Sequence, residues 1–336
     1  MANSLEYKKN GRDSMSSISV IIPFFQKESG LLRRAVKSIF DQSNISKHKI
    51  CVVIVDDGSP VTALGEVEEF MTSSSYALTV LHQANAGPAS ARNRALNHVI
   101  SSTDFVAFLD SDDYWSNQHL ARAMSSFDVG ADFYFGDLQR VGETCSLFSQ
   151  HGFPDPVQLE AHNAAADVYG FCGDAMETVI KGFVWTSTVV YRAWPYRDLR
   201  FPENQRRFGE DQYTWLRICQ RNPNVYVSTS CETYMGKGVS IYTDQTYGTP
   251  SQIERLGDEL RYRRRASKTI SLTPNAQKRM QEATSAARRR IAREILHQLR
   301  RGRLQHALRG VSLAPGALRQ MPRLVLQGLG RPTRDQ

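Results

Sequence analysis

No apolar run in this 336-residue chain approaches the roughly 18 residues that would span a bilayer, and the leader MANSLEYKKNGRDSMSS lacks the apolar core of an export signal. The expectation is a cytoplasmic chain, at most peripheral on the cytoplasmic face of the inner membrane. Cysteine is scarce. Cys51, Cys145, Cys172, Cys219 and Cys231 are odd in number and show no C-x-x-C spacing, which argues against a disulfide framework or a zinc site. Glycine is missing where a dinucleotide-binding enzyme needs it: SVIIPFFQKES has none before Gly30, so no G-x-G-x-x-G follows the first apolar run. The Gly-rich basic loop of a nucleotidyltransferase is missing from the same place. None of the eight histidines falls in a motif with metal-ligand spacing.

With 41% hydrophobic residues, 10% aromatic and 23% charged, the chain has enough apolar material to fold. The net charge of +8 is unevenly spread. Residues 261–336 hold 19 basic residues against three acidic ones, a net of +16, which leaves −8 for the rest. Taken alone, the tail suits a nucleic-acid- or membrane-binding protein without enzymatic activity. After Tyr262, however, it contains no Phe, Trp or Tyr on which bases could stack. Nucleic acid is therefore disfavoured. Ile291, Ile295 and Leu299, then Leu304, Leu308 and Val311, form apolar stripes of one or two basic amphipathic helices, suited to an anionic membrane surface or to packing on the acidic remainder.

Upstream, ISVIIPFF (18–25) and ICVVIV (50–55) read as strands buried on both faces, with a helix between them at 31–40. A helix at 61–72, a strand at 77–82, a helix at 89–100 and a strand at 104–109 continue the alternation of a doubly wound α/β domain. Beyond residue 130 the regularity weakens, with strands at 133–135 and 184–191 and a helix at 210–220. Ligands of open α/β sheets bind outside the carboxyl ends of the strands. Here four strands end in Pro23-Phe24-Phe25, Asp56-Asp57-Gly58-Ser59, Asn85-Ala86-Gly87 and Asp110-Ser111-Asp112-Asp113. Two carboxylates at i, i+2 after a buried strand call for a cation or donor between them, and hard oxygen ligands favour Mg²⁺ or Mn²⁺. One of Asp112 and Asp113 is expected to cap the following helix.

SVIIPFFQKE, VVIVDDGSP, NAGPASARNRAL, VAFLDSDDYW and RRFGEDQYTWLRI, in this order between Ile18 and Ser240, resemble the inverting GT-A glycosyltransferases of family 2. The resemblance implies a GT-A fold, Rossmann-like with a mainly parallel sheet flanked by helices, followed by a basic helical extension. Its divisions would be a polar leader (1–16), a nucleotide-sugar-binding half (17–130), an acceptor and catalytic half (131–250) and the extension (251–336). It also implies transfer of a hexose from a nucleotide sugar, a UDP-sugar, to a glycan or polyprenyl-linked oligosaccharide. By the same resemblance Pro23 and Phe25 wall the nucleobase, and Asp56, with Asp57 beside it, accepts from the uracil imide. Asn85, Gly87 and Arg92 contact base, ribose or diphosphate; Asp110 and Ser111 lie on the ribose side; and Asp112 holds the metal. Asp211 is the general base, Glu210 orients loop or acceptor, and Lys237 stands where the family often has a basic residue on a loop closing over the diphosphate. Where the family often has Tyr and Asn, this chain has Phe25 and Gln26.

Overall fold

In the computed structural model, residues 15–72, 76–162, 164–206, 208–237 and 247–320 are described. Most of the leader, Gly238 to Ser240 and residues 321–336 lie outside them.

The first half follows the periodicity of its apolar residues. Strand β1 (Ser16–Phe24), helix α1 (Leu31–Phe40), β2 (His48–Asp56), short α2 (Ala63–Val67), β3 (Ala77–His82), α3 (Pro88–Val99) and β4 (Phe105–Phe108) alternate, and the four strands lie in parallel in the order β3-β2-β1-β4. Because side chains alternate across a strand, β1 and β2 feed two cores. Ile21, Val53 and Val55 enter the core on one face, while Ile18, Val20, Ile22, Val52 and Ile54 enter the other. A strand covered on both faces has no place for polar side chains except at its ends, which is where the candidate residues fall.

Six strands then extend the sheet. They are β5 (Tyr114–Trp115), β6 (Phe133–Arg140), β7 (Leu159–Ala161), β8 (Val168–Phe171), β9 (Val190–Arg192) and β10 (Val225–Met235). The full order is β3-β2-β1-β4-β9-β6-β10-β8-β7, with β5 against β10. Antiparallel β9 sits between β4 and β6, and β6 pairs with β10 in parallel. Helices α4 (His119–Asp128), α5 (Leu147–His151), α6 (Ala175–Lys181) and α7 (Glu210–Cys219) complete this half. The four parallel pairings join the long central strands and hold most of the paired residues, so the central sheet is mainly parallel, as expected, while the five shorter pairings are antiparallel.

Two elements differ from expectation. The helix expected at 61–72 is only α2 followed by a 3₁₀ turn at Glu68–Phe70, with the poor helix former Gly65 inside it. The β-branched run at 184–191 is not one strand: Thr186–Thr188 form a 3₁₀ turn, and β9 begins only at Val190. Strand propensity yields there because the turn's Ser187 hydroxyl is held by the acidic loop described below.

The basic extension is helical. Helix α8 (Pro250–Thr269) starts at a Thr249 cap and α9 (Pro274–Arg300) at a Thr273 cap, each followed by proline at the first helical position. Gly302, at φ +70°, separates α9 from α10 (Leu304–Leu313), and a 3₁₀ turn (Pro315–Gln320) follows. Leu256, Leu260, Ala287, Ile291, Ile295 and Ala307 bury one another between these helices. The expected stripes are thus only half internal, since Leu299, Leu304 and Leu308 are exposed. The extension also joins the main body: Tyr262, Ala266, Ala276 and Met280 belong to the core formed by α6 and α7, and the Thr273 hydroxyl donates to Asp174, the cap of α6.

Candidate active site

The end of β2 builds the first wall. Buried Asp56 accepts from the backbone N–H of Ser59 at 2.8 Å and of Ala63 at 3.1 Å, which fixes the Asp-Gly-Ser turn and the start of α2. Each oxygen still has a lone pair for a ligand N–H. Asp57, also buried, accepts from the N–H groups of Ala86 and Gly87 at 2.8 Å each and from Gln83 Nε2 at 2.7 Å, while Asn85 Nδ2 donates to the Asp57 carbonyl at 3.0 Å. Asp57 therefore shapes the Asn85–Gly87 turn, and Asn85 itself is exposed. Pro23 lies buried in β1, and half-buried Phe25 follows the strand.

The end of β4 supplies the acids. Asp110 and Asp112 are half-buried, while Ser111 and Asp113 are buried. Gln26 Nε2 donates to the Ser111 hydroxyl at 3.1 Å, so a glutamine at this position ties the ends of β1 and β4 together. Neither Asp112 nor Asp113 caps a helix, contrary to expectation, because β5 follows immediately and α4 begins only at His119. Asp113 instead accepts from the Ser187 hydroxyl at 2.6 Å and from the Gly236 N–H at 3.0 Å, and the Asp110 N–H donates to the Ser187 hydroxyl at 3.0 Å. Burial first, then the charges of Asp110 and Asp112, push the Asp113 carboxyl well up. At Gly236 a Cβ would sit 1.8 Å from the Asp112 carbonyl oxygen, so only glycine admits the chain here. This approach brings exposed Lys237 next to the acidic loop; Gly238–Ser240 lie outside the described residues.

The two halves meet through Arg92. From α3 its guanidinium reaches Asp110 Oδ1 at 2.7 Å and Glu210 Oε1 at 3.2 Å, while lying over the Phe201 ring at 5.3 Å. Only 4% of this side chain is exposed. Burial opposes its charge, but the two carboxylates outweigh that and raise its pKa. Glu210 and Asp211 open α7, where acids suit the helix dipole. They are held there by Trp215 one turn on, which is fully buried among the rings of Phe108, Phe133 and Phe201. Burial, then the neighbouring Asp211 charge, pushes the Glu210 carboxyl up to about 7. Burial also raises Asp211, whose Oδ1 accepts from the Gln212 N–H at 2.7 Å and whose Oδ2 accepts from the Thr186 hydroxyl at 3.4 Å.

Three contributors escaped the reading of the sequence. The Thr186–Ser187 turn touches both acidic groups, and Arg34 holds the acidic loop by donating to the Asp112 carbonyl at 2.7 Å. The third is Tyr262, from the extension. Its ring lies under Gly209, the residue before Glu210 and Asp211, where a Cβ would come 2.5 Å from the ring carbon. Only the aromatic and basic character of that stretch could have hinted at this contact.

A divalent cation fits this chemistry. Asp110, Asp112 and Asp113 concentrate negative charge in one crevice, with hard oxygens of the kind that take Mg²⁺ or Mn²⁺. Among the described residues no three acids, histidines or cysteines converge as a closed metal cage. That arrangement suits an ion held by one or two carboxylates and by phosphate oxygens of a substrate.

Comparison with known proteins agrees with the geometry. The family model "Glycosyl transferase family 2" matches residues 19–192. The succinoglycan biosynthesis protein ExoW of Rhizobium meliloti is 28% identical over 84% of this chain and 91% of its own length. Glycosyltransferase GlyA of Streptococcus pneumoniae is 27% identical over 67% of this chain, which spans only 30% of that protein. In fold, the chain resembles S. aureus TarS 1–349, solved with UDP-GlcNAc, at TM-score 0.54 and 18% identity over 93% of this chain and 92% of that one. It also resembles the mannosyltransferase PcManGT of Pyrobaculum calidifontis, solved with GDP-Man and Mn²⁺, at TM-score 0.56 and 16% identity over 93% and 80%. With over half its length matching the family model and its sheet ordered as described, the chain belongs to glycosyltransferase family 2, has the GT-A fold and is a glycosyltransferase.

Proposed function

We propose that the chain moves a hexose, with inversion, from a UDP-sugar to a hydroxyl of a glycan or lipid-linked oligosaccharide. The observation that carries the reading is the Arg92 bridge, which brings the acids ending β4 and the acids opening α7 to one crevice. In that crevice Asp211 takes the proton of the acceptor hydroxyl as its oxygen attacks the anomeric carbon. The C–O bond to the nucleoside diphosphate breaks on the opposite face. Burial raises the Asp211 carboxyl, which makes it a stronger base than an exposed aspartate. Glu210, shared with Arg92, orients the turn. Pro23 and Phe25 wall the base, Asp56 accepts from it, and Asn85, Gly87, Asp110 and Ser111 line the path to the ribose and diphosphate. Asp112 would hold Mg²⁺ or Mn²⁺, which when bound neutralises charge on the departing diphosphate. Lys237, on the loop against Asp112, adds positive charge there.

The UDP-GlcNAc complex of TarS supports a uridine donor, and the name of ExoW, a succinoglycan biosynthesis protein, supports a glycan acceptor. A panel of UDP- and GDP-sugars tested by thermal stabilisation with Mn²⁺ checks the donor. At about 100 times its dissociation constant the true donor adds about 2.7 kcal/mol. Asp112→Asn, or EDTA, should remove both the Mn²⁺-dependent part of that gain and most turnover while the fold survives. Full turnover of Asp112→Asn in EDTA would exclude the metal.

A further inference from the structure

Helices α8 and α9 and the chain leaving α10 line an open cleft of about 400 Å³. Its charged lining is entirely basic: Arg263 and exposed Arg264, Lys268 and Arg288. Ser267, Thr284 and Ser285 line it as well. Glu259, which pairs with the lining Arg263 at 2.8 Å, is shared with two more guanidiniums, Arg290 at 3.0 Å and Arg255 at 3.7 Å. Among the described residues, Arg264, Lys268 and Arg288 pair with no carboxylate. Like charges gathered around a concave space repel one another, and an anion placed there relieves the repulsion. Several guanidinium forks and an ammonium around one cleft suit the multiple oxygens of a phosphate.

We propose that this cleft binds a phosphoryl or diphosphate group. The site is separate from the catalytic crevice. Tyr262 faces Gly209, while Arg264, two residues on, lies about 200° round the same helix, so α8 alone separates a bound anion from the turn that carries Asp211. The assignment rests on the cleft's chemistry and stands whether or not the transferase reading does. The group could belong to a free diphosphate or to an anionic lipid headgroup.

The test uses the full chain without divalent metal, so that metal-bridged phosphate in the crevice does not contribute. Inorganic pyrophosphate is titrated by calorimetry, and its location is read by hydrogen exchange. Binding should slow exchange in segments 260–268 and 281–288, and Arg264→Gln/Lys268→Gln/Arg288→Gln should weaken it at least tenfold with an unchanged circular-dichroism spectrum. Flotation with phosphatidylglycerol and with phosphatidylcholine vesicles separates the sources. Binding to the former that pyrophosphate displaces identifies a headgroup, whereas pyrophosphate binding without flotation identifies a free ligand; either supports the site. No pyrophosphate binding, or equal binding by the triple variant, overturns it.

Discussion

Gly209 shows how much one residue can decide. It caps α7 at φ +82°, where a side chain is strained, and the Tyr262 ring fills the space a Cβ would need. Gly209→Ala must therefore move the Glu210–Asp211 turn or push α8 away. Because a displacement of about 1 Å at a catalytic group can cost about 10²-fold in rate, turnover should fall at least tenfold while donor affinity stays within about threefold. Unchanged turnover would show that the α8 contact does not position the turn. The titration of that turn is also testable. Burial raises both Asp211 and Glu210, the latter to about 7, and the base proposed at Asp211 must be ionised to accept a proton. Activity should therefore be lost as pH falls, with an apparent pKa above the usual carboxylate value of about 4 and belonging to the pair. A rate flat from pH 7 down to pH 4, in protein still folded by circular dichroism, would contradict this.

Elements differ in how openly they announce themselves. The ends of β1, β2 and β4 were legible because buried parallel strands are uniformly apolar, so the first polar residues after each run mark the sheet's carboxyl edge. The Thr186–Thr188 turn was not, since Val184 to Tyr191 has the composition of a strand and only Ser187's partners in a loop 74 residues earlier show otherwise. The Arg92–Glu210 bridge, across 118 residues, was hidden for the same reason. Another long-range device lies in β10. Glu232, fully buried, accepts from Tyr134 Oη at 2.6 Å, Ser228 Oγ at 2.7 Å and Arg122 Nη1 at 3.3 Å, and lies 3.2 Å from His119 Nδ1. Glu232→Leu would leave these groups without their acceptor. The expected loss is about 3–5 kcal/mol in urea unfolding, well beyond that of a typical surface change. A loss below about 1 kcal/mol would mean that the network does not hold β10 to α4 and β6.

At the scale of the whole molecule, charge and chemistry are divided. An acidic α/β body carries the crevice, and the basic extension, whose residues 261–336 hold a net charge of +16, packs on it through α8 and α9. Packing had been one of two roles legible for the basic stripe, and the helices fill it through Tyr262, Ala266, Ala276 and Met280. The extension also contributes the ring beneath Gly209, so the Glu210–Asp211 turn depends on both parts of the chain. The central claim is that Asp211 is the base within this crevice, and the most direct measurement compares turnover with donor affinity in Asp211→Asn. Turnover should fall about 10²-fold or more, with the dissociation constant for the UDP-sugar nearly unchanged, because the substitution keeps the shape and removes only the proton acceptor. An Asp211→Asn enzyme that turns over normally, or that fails only in binding the donor, would contradict it.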